Sequence, residues 1–144
     1  MFRSATARDI ELLHQLLVAE AVEGRFESRL AQEPSRSGLR KNLNNIRKKR
    51  QRLDQDARAQ LLVWEKQGQV AGCLINSSIL PREGNEIWMI AVLSEFRGQG
   101  EGGRMSREAL SYLHPRVDVF ARCAPEAEIA YQMFLQRGFL PVEN

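Results

Sequence analysis

The sequence feature that most constrains the fold is an apolar run followed at once by a glycine-rich segment and a helical pattern. The run at residues 87–92 is short and rich in β-branched and aromatic side chains, which predicts a buried strand. Residues 97–103 are Arg-Gly-Gln-Gly-Glu-Gly-Gly, and apolar residues then recur from Met105 at helical spacing. The predicted order is therefore strand, glycine-rich turn and helix.

This order predicts a binding site for an anion. Glycine tolerates positive φ and lets the backbone approach a ligand closely. The N–H groups of the first helical turn have no intrahelical partner, and the helix dipole favours negative charge there. A plain connection between a strand and a helix is the alternative. Four glycines in the six residues from Gly98 favour the anion site.

The same stretch resembles the acyl-CoA-binding motif of the GNAT superfamily of N-acetyltransferases. The motif of that family is Arg or Gln, two residues, Gly, one residue, and Gly or Ala, and it is matched here by Arg97, Gly100 and Gly102. Two further segments, a hairpin-like one at 61–75 and another at 130–139, lie where the family has them. We therefore expect the fold and the chemistry of that superfamily.

The resemblance covers roughly residues 1–142. It implies an α/β (α+β) fold, in which a mixed, mostly antiparallel, twisted sheet of about six strands is flanked by about four helices. At 144 residues, the chain is expected to form a single domain, 1–144. Because the family usually adds one more strand, the last strand is expected to be missing. The chain would then be truncated, a minimal variant, or one whose sheet edge a partner completes, as in a homodimer.

Local patterns place the remaining elements. Thr6 is a candidate N-cap of the first helix, with Asp9 three residues on. Residues 33–38 are predicted to be a break between helices. The predicted elements are a strand at 2–5, a helix ending near Gly24, a helix over 39–58, hairpin strands at 61–65 and 69–75 around Gly68, the central strand, a third helix, a strand at 117–121, a last helix from Pro125 to Gly138, and a final strand from 139 to 142.

The resemblance implies that acetyl-CoA is the co-substrate and that pantetheine lies between the central strand and the strand at 117–121. The N–H of Val92 or Leu93 would then support the oxyanion of the tetrahedral intermediate. Glu101 occupies a position where the family prefers an aliphatic residue, and its charge is expected to weaken cofactor binding. The predicted cofactor-binding residues are Ile90, Ala91, Val92, Arg97, Gly98, Gln99, Gly100, Glu101, Gly102, Gly103 and Arg104.

Glu86 is the candidate general base. The resemblance places the basic glutamate of the histone-acetylating branch at this position, five residues before Ala91. Alternation along a strand would put Glu86, Trp88 and Ile90 on one face. We expect Glu86 to take the proton of the amine, through water. The alternative is a solvated glutamate at the start of a strand, and Glu83 is the second candidate.

The sequence lacks the residue that the family usually uses as general acid. The family usually has a tyrosine where this chain has Phe134, and an asparagine where it has Ala127. Tyr131 lies one helical turn earlier and is the candidate acid, its alternative role being that of a half-buried packing residue. Cys123 and His114 are weaker candidates.

Charge and composition bear on the other functional classes, such as nucleic-acid-binding, membrane and metal-binding proteins. Residues 36–58 contain nine basic and two acidic side chains, so this segment carries +7 and the remainder of the chain −4. It is interpreted as a solvated helix face, with contact to an acidic partner or a nucleic acid as the sharper alternative and substrate gating as the third. No apolar run is long enough for a membrane span and no signal peptide is evident, which indicates the cytoplasm. The two cysteines suggest no metal site.

Three functions follow from these observations. The first is an N-acetyltransferase that moves the acetyl group of acetyl-CoA to a primary amine by direct attack on the thioester. The second is a catalytically weak acyl-CoA-binding or regulatory domain, motivated by Phe134 and Ala127. The third is an RNA-associated member of the family. The acceptor is open: a peptide, an amino sugar, a polyamine or an antibiotic would each supply the amine.

Overall fold

A computed structural model describes residues 1–80, 84–111, 119–123, 127–136 and 138–141 of the 144-residue chain. The strands are β1 (Phe2–Ser4), β2 (Arg58–Lys66), β3 (Gln69–Leu80), β4 (Gly84–Val92) and β5 (Val119–Ala121). The helices are α1 (Ile10–Val22), α2 (Ser35–Lys49), α3 (Glu101–Ser111) and α4 (Glu128–Gln136). Within these residues, each helix is too short or too polar to cross a membrane.

The five strands form one mixed sheet in the order β1-β2-β3-β4-β5. The pairs β1/β2, β2/β3 and β3/β4 are antiparallel, and β5 runs parallel to β4. The predicted fold class, a mixed and mostly antiparallel sheet with flanking helices, is therefore confirmed. The described residues supply five of the roughly six strands expected.

Side chains on the two faces of the sheet form two apolar clusters. The first cluster packs α1 and α2 against one face and includes Leu13, Leu43, Val63, Ile75 and Met89. The second packs α3 and α4 against the other face and includes Trp64, Leu74, Ile87, Met105 and Phe134. Burial of each such side chain contributes roughly 1.5–3 kcal/mol, so both helical layers are held on the sheet by apolar contact.

The predicted hairpin is confirmed. Strands β2 and β3 are joined through Gln67 and Gly68, whose φ angles are 54° and 76°. Two consecutive left-handed residues are the geometry of the two-residue turn that matches the twist of a hairpin. The turn therefore fixes the register of β2 and β3.

Helix α2 differs from its predicted range. It begins at Ser35, inside the predicted break, and ends at Lys49, well before residue 58. Arg50 adopts a left-handed conformation, with φ 54° and ψ 36°, which stops the helix. The chain then turns back towards β2, and Leu53, inside the predicted helix, lies outside the observed one and is 58 % exposed.

The C-terminal prediction is partly wrong. Gly138 ends α4 with a φ of 89°, as predicted, but residues 139–141 form no strand. The ring of Phe139 packs 5.0 Å from the ring of Phe134, which draws this segment onto the second cluster and away from the sheet. Residue 142, Val117, Glu83, His114 and Pro125, on which other predictions fall, lie outside the described residues.

The start of α1 is fixed by Asp9. The backbone N–H of Thr6 donates to Asp9 Oδ2 at 2.7 Å, and the guanidinium of Arg3 donates to both carboxylate oxygens at 2.8 and 3.0 Å. The Arg3 hydrogen bonds hold the pKa of Asp9 below its usual range. The carboxylate therefore ties β1 to the first helical turn only while it is ionised.

Replacing Asp9 with asparagine is expected to lower the free energy of unfolding at pH 7 by about 1–2 kcal/mol. A depressed folded-state pKa gives stability that is complete above the unfolded pKa of about 3.9 and is lost as the pH falls through the folded value. Urea denaturation at pH 7 and pH 3 should therefore show a smaller difference at pH 3. The exposed Asp56→Asn serves as control, and an equal difference at both pH values would contradict the assignment.

Candidate active site

Strand β4 has an open edge. It pairs with β5 only from Asn85↔Val119 to Ile87↔Ala121, whereas β4 continues to Val92. Within the described residues, no strand partners β4 on that side from Trp88 onwards. Unpaired backbone groups on a strand edge can bind an extended ligand as an added strand would.

A β-bulge at Trp88 interrupts the regular alternation of side chains between the two faces of β4. Ile75 of β3 pairs with Met89 and Asn76 pairs with Ile87, so Trp88 is an extra residue between them. A bulge bends the strand and increases its local twist, and the pairing of β4 with β5 ends at Ile87, directly before it.

The bulge also changes which side chains share a face. Trp88 packs against the α1/α2 cluster, whereas Ile90 packs against the α3/α4 cluster. The prediction that Glu86, Trp88 and Ile90 share one face is therefore wrong, because the extra residue shifts the alternation by one position.

The backbone of Val92 faces the open edge. The N–H of Leu93 donates to Ala71 O of β3 at 2.8 Å, so it is not available to a ligand. Neighbouring residues of a strand direct their backbone groups to opposite edges. Of the two predicted oxyanion donors, only the N–H of Val92 is therefore directed towards the open side.

The glycine-rich segment forms a bend and the start of α3. Gly98 and Gly100 have φ angles of 76° and 79°, so both need the freedom of glycine. Gly102 and Gly103 already lie in the first turn of α3, which starts at Glu101. The first N–H groups of that helix lack intrahelical acceptors and form a potential anion site beside the bend.

Arg97 braces this bend. Its Nε donates to Val92 O at 3.0 Å, and its guanidinium forms an ion pair with Glu20 of α1. Glu20 is buried and also pairs with Arg25 at 3.3 Å. Burial raises the pKa of Glu20, and the two arginines oppose that rise. In this structure Arg97 therefore holds the end of β4 against α1.

Glu101 is buried, and both of its carboxylate oxygens have partners. Trp64 Nε1 donates to Oε2 at 2.7 Å, and Lys66 Nζ and the Arg104 guanidinium lie 2.9 and 2.6 Å from Oε1. The Trp64 hydrogen bond is the first cause of a lowered pKa of Glu101. Because two cations neutralise it, Glu101 brings less negative charge to a bound phosphate than the sequence suggested.

The same contacts tie the bend to β2. Lys66 also donates to Gln99 Oε1 at 2.8 Å, and Arg104 donates to Gln99 O at 2.8 Å. Sequence reasoning did not single out Trp64 or Lys66, because no local spacing relates β2 to this segment. Both residues act as supports of the predicted cofactor loop.

A cavity of about 900 Å³ lies beside the open edge of β4. Its walls include residues 86–90 of β4, the segment between α1 and α2, part of α2, and Ala127 and Phe134 at the α4 side. This volume is typical of a site for a small ligand.

Glu86 lies in the wall of this cavity and is 1 % exposed. Arg122 Nε donates to Oε2 at 2.6 Å, and an Arg52 nitrogen lies 3.6 Å from Oε1. Among the described residues, Oε1 has no hydrogen-bond donor. One carboxylate oxygen is thus fixed by Arg122, whereas the other is buried beside Arg52 and receives no hydrogen bond from the described residues.

Arg52 is a site residue that the sequence analysis assigned to a helix face. Its guanidinium is 4 % exposed, forms two hydrogen bonds with Asp54 at 2.9 and 2.6 Å, and donates to Ser77 at 3.1 Å. It also lies 3.5 Å from the centre of the Trp88 ring. These contacts brace both Glu86 and the bulge from the α2 side.

The candidate general acids differ in their position relative to the cavity. Phe134 is buried and lines the cavity with Ala127, whereas Tyr131 is 38 % exposed and is absent from its lining. Cys123 also lines the cavity, and burial raises the pKa of its thiol. The role of Tyr131 as general acid stays a prediction.

Comparison of the fold with solved structures gives several similar proteins. An N-acetyltransferase from Staphylococcus aureus Mu50 is 18% identical with a TM-score of 0.71, covering 99% of this chain and 92% of the other. A ribosomal-protein-alanine N-acetyltransferase from Brucella melitensis is 21% identical with a TM-score of 0.69, covering 99% and 86%. An aminoglycoside antibiotic 6′-N-acetyltransferase from Acinetobacter haemolyticus is 15% identical with a TM-score of 0.66, covering 100% and 93%. At these identities the likeness shows the fold.

The sequence comparisons address the family directly. No curated protein matches the chain. The acetyltransferase (GNAT) family matches over residues 15–139, which is most of the sequence and spans the open strand, the glycine bend and α4. The chain therefore belongs to the GNAT family of acetyltransferases.

Proposed function

We propose that the protein transfers the acetyl group of acetyl-CoA to a primary amine by direct attack of the amine on the thioester. The observation that carries the proposal is the continuity of three features. The open edge of β4 leads directly into the bend at Gly98 and Gly100, and the bend leads into the start of α3. A strand-like ligand segment and a terminal diphosphate would each have a place on this path.

The backbone around the open edge would hold the acyl end. Ile90, Ala91 and Val92 are the last three residues of β4 before the bend. The N–H of Val92 is directed to the open side. An oxyanion donor fixed in this way contributes about 3 kcal/mol in other acyl-transfer enzymes. The N–H groups from Arg97 to Gly103 would receive the diphosphate.

Glu86 would receive the proton of the amine. Glu86 lines the cavity beside the open edge of β4, and Arg52 and Arg122 fix its carboxylate in place. The amine proton would reach this carboxylate through a water between the two groups.

Phe134 supports a second candidate function, a catalytically weak acyl-CoA-binding domain. Phe134 is 6 % exposed and packs in the cavity wall, where it has no proton to give to the leaving thiolate. Without an acid at this place the thiolate must leave unassisted or rely on Tyr131.

Thiol release separates the two functions. Purified protein should be incubated with acetyl-CoA and a panel of primary amines, and free CoA should be measured with a thiol reagent. Amine-dependent release supports the acetyltransferase. Binding of acetyl-CoA with no release for any amine supports the weak binding domain.

Replacing Lys66 with methionine is expected to raise KM for acetyl-CoA about 3–10-fold with kcat nearly unchanged. The change removes the cation that joins Gln99 and Glu101, so the bend is held less firmly, and a partly exposed ion pair is worth about 1 kcal/mol. Steady-state kinetics with a fixed amine measures it. The matched control is Lys48→Met on the exposed face of α2, and an equal KM for both variants would contradict the role of Lys66.

A further inference from the structure

The charged residues of the 900 Å³ cavity are unequal in number. Three acidic residues contribute to its lining: Glu27, Asp54 and Glu86. Five basic residues contribute to it: Arg25, Arg29, Lys41, Arg52 and Arg122. The described lining therefore carries an excess of two positive charges.

The acids are already paired with arginines. Glu27 pairs with Arg29, and Asp54 pairs with Arg52 at 2.6 Å. Glu86 Oε2 pairs with Arg122, and its buried Oε1 lies 3.6 Å from Arg52. Each acidic side chain of the described lining therefore already faces an arginine.

The basic residues are less completely paired. Lys41 is exposed on α2 and has no ion-pair partner among the described residues. Arg25 shares the buried Glu20 with Arg97, so two guanidinium groups face one carboxylate. An anionic group in the cavity would meet these cations, whereas a second ammonium group would meet like charge in a partly desolvated space.

On the basis of the proposed function, we infer that the acceptor is a primary amine that also carries an anionic group, and not a polyamine or another polycation. The amine lies at the Glu86 end of the cavity. The anionic group, a carboxylate or a phosphate, lies towards Lys41 and Arg25. The reaction is the proposed one: the amine nitrogen bonds to the acetyl carbon, the carbon–sulfur bond breaks, the amine proton leaves to Glu86, and CoA departs as the thiolate.

A matched series of acceptors tests the inference. The acceptors are butylamine, 4-aminobutyrate, 3-aminopropyl phosphate and 1,4-diaminobutane, which present a neutral, carboxylate, phosphate or cationic tail on a similar chain. We expect kcat/KM for the better anionic amine to exceed that for the diamine about tenfold or more. The carboxylate and phosphate arms identify which anion is preferred.

A charge-reversal pair locates the effect in the cavity. Lys41→Glu should reduce the ratio of anionic amine to diamine about tenfold, because the charge lies in the lining. Lys48→Glu makes the same change on the same helix outside the lining, and should alter the ratio less than about twofold.

The outcomes separate the inference from the proposed function. Equal or greater kcat/KM for the diamine, no transfer to either anionic amine by protein that binds acetyl-CoA, or an unchanged ratio in Lys41→Glu would each overturn the inference. Protein that does not bind acetyl-CoA would overturn the proposed function, and the inference with it.

Discussion

Replacing Glu86 with glutamine is expected to lower kcat/KM for amine acetylation at pH 7 by about 10²–10³-fold, the usual contribution of a positioned base. An amine with a pKa of about 10.4 is neutral in roughly one molecule of 2,500 at pH 7, so transfer depends strongly on proton removal. Glutamine keeps the size of the side chain, but it cannot accept the proton. Steady-state kinetics at pH 7 with a fixed amine measures the loss.

Two further measurements separate a catalytic loss from a structural one. The KM for acetyl-CoA should change less than about threefold, because Glu86 does not belong to the bend. Glu23→Gln, an exposed residue at the end of α1, provides the matched control. An unchanged kcat/KM in Glu86→Gln would remove this residue from the mechanism.

Replacing Gly72 with alanine is expected to destabilise the protein by about 2–4 kcal/mol and to weaken acetyl-CoA binding in the protein that remains folded. A Cβ at Gly72 would lie 2.3 Å from Ala91 O and 3.3 Å from Val92 Cα. These are backbone atoms of the central strand, so relief requires β3 and β4 to separate. The open edge proposed to bind the acyl group would move with them.

Gly38→Ala is the matched control. Gly38 lies within α2, and a Cβ there would meet nothing within 4 Å. Alanine should stabilise the helix by up to about 1 kcal/mol, because glycine loses more backbone entropy on folding. Urea denaturation measures both variants. Equal stability of Gly72→Ala and the unmodified protein would show that β3 and β4 can separate without cost.

The parts of the fold predicted correctly depend on local signals. The hairpin turn at Gly68 and the helix stop at Gly138 each follow from a glycine, which tolerates positive φ. The C-terminal end of α2 was predicted wrongly, because the residue that terminates the helix is Arg50, and arginine rarely adopts a left-handed conformation. The last segment was wrong because Phe139 finds a distant apolar partner, which no local pattern indicates.

The features of the site also divide into those that local sequence signals predict and those that depend on contacts with distant residues. The bend at Gly98 and Gly100 is encoded within a few residues, and the structure places both in the predicted left-handed conformation. The bulge at Trp88 could not be predicted, since the register between β3 and β4 decides it. The roles of Arg52 and Lys66 were missed because they depend on contacts with residues 25 to 35 positions away in the chain.

Titration with acetyl-CoA, followed by the melting temperature, tests most directly whether the open strand and the glycine bend bind an acyl-CoA. At a hundred times its Kd, a ligand of the folded state adds about 2.7 kcal/mol, which corresponds to a rise in Tm of about 5–10 °C for a chain of this size. The account predicts such a concentration-dependent rise. An unchanged Tm at millimolar acetyl-CoA would contradict it.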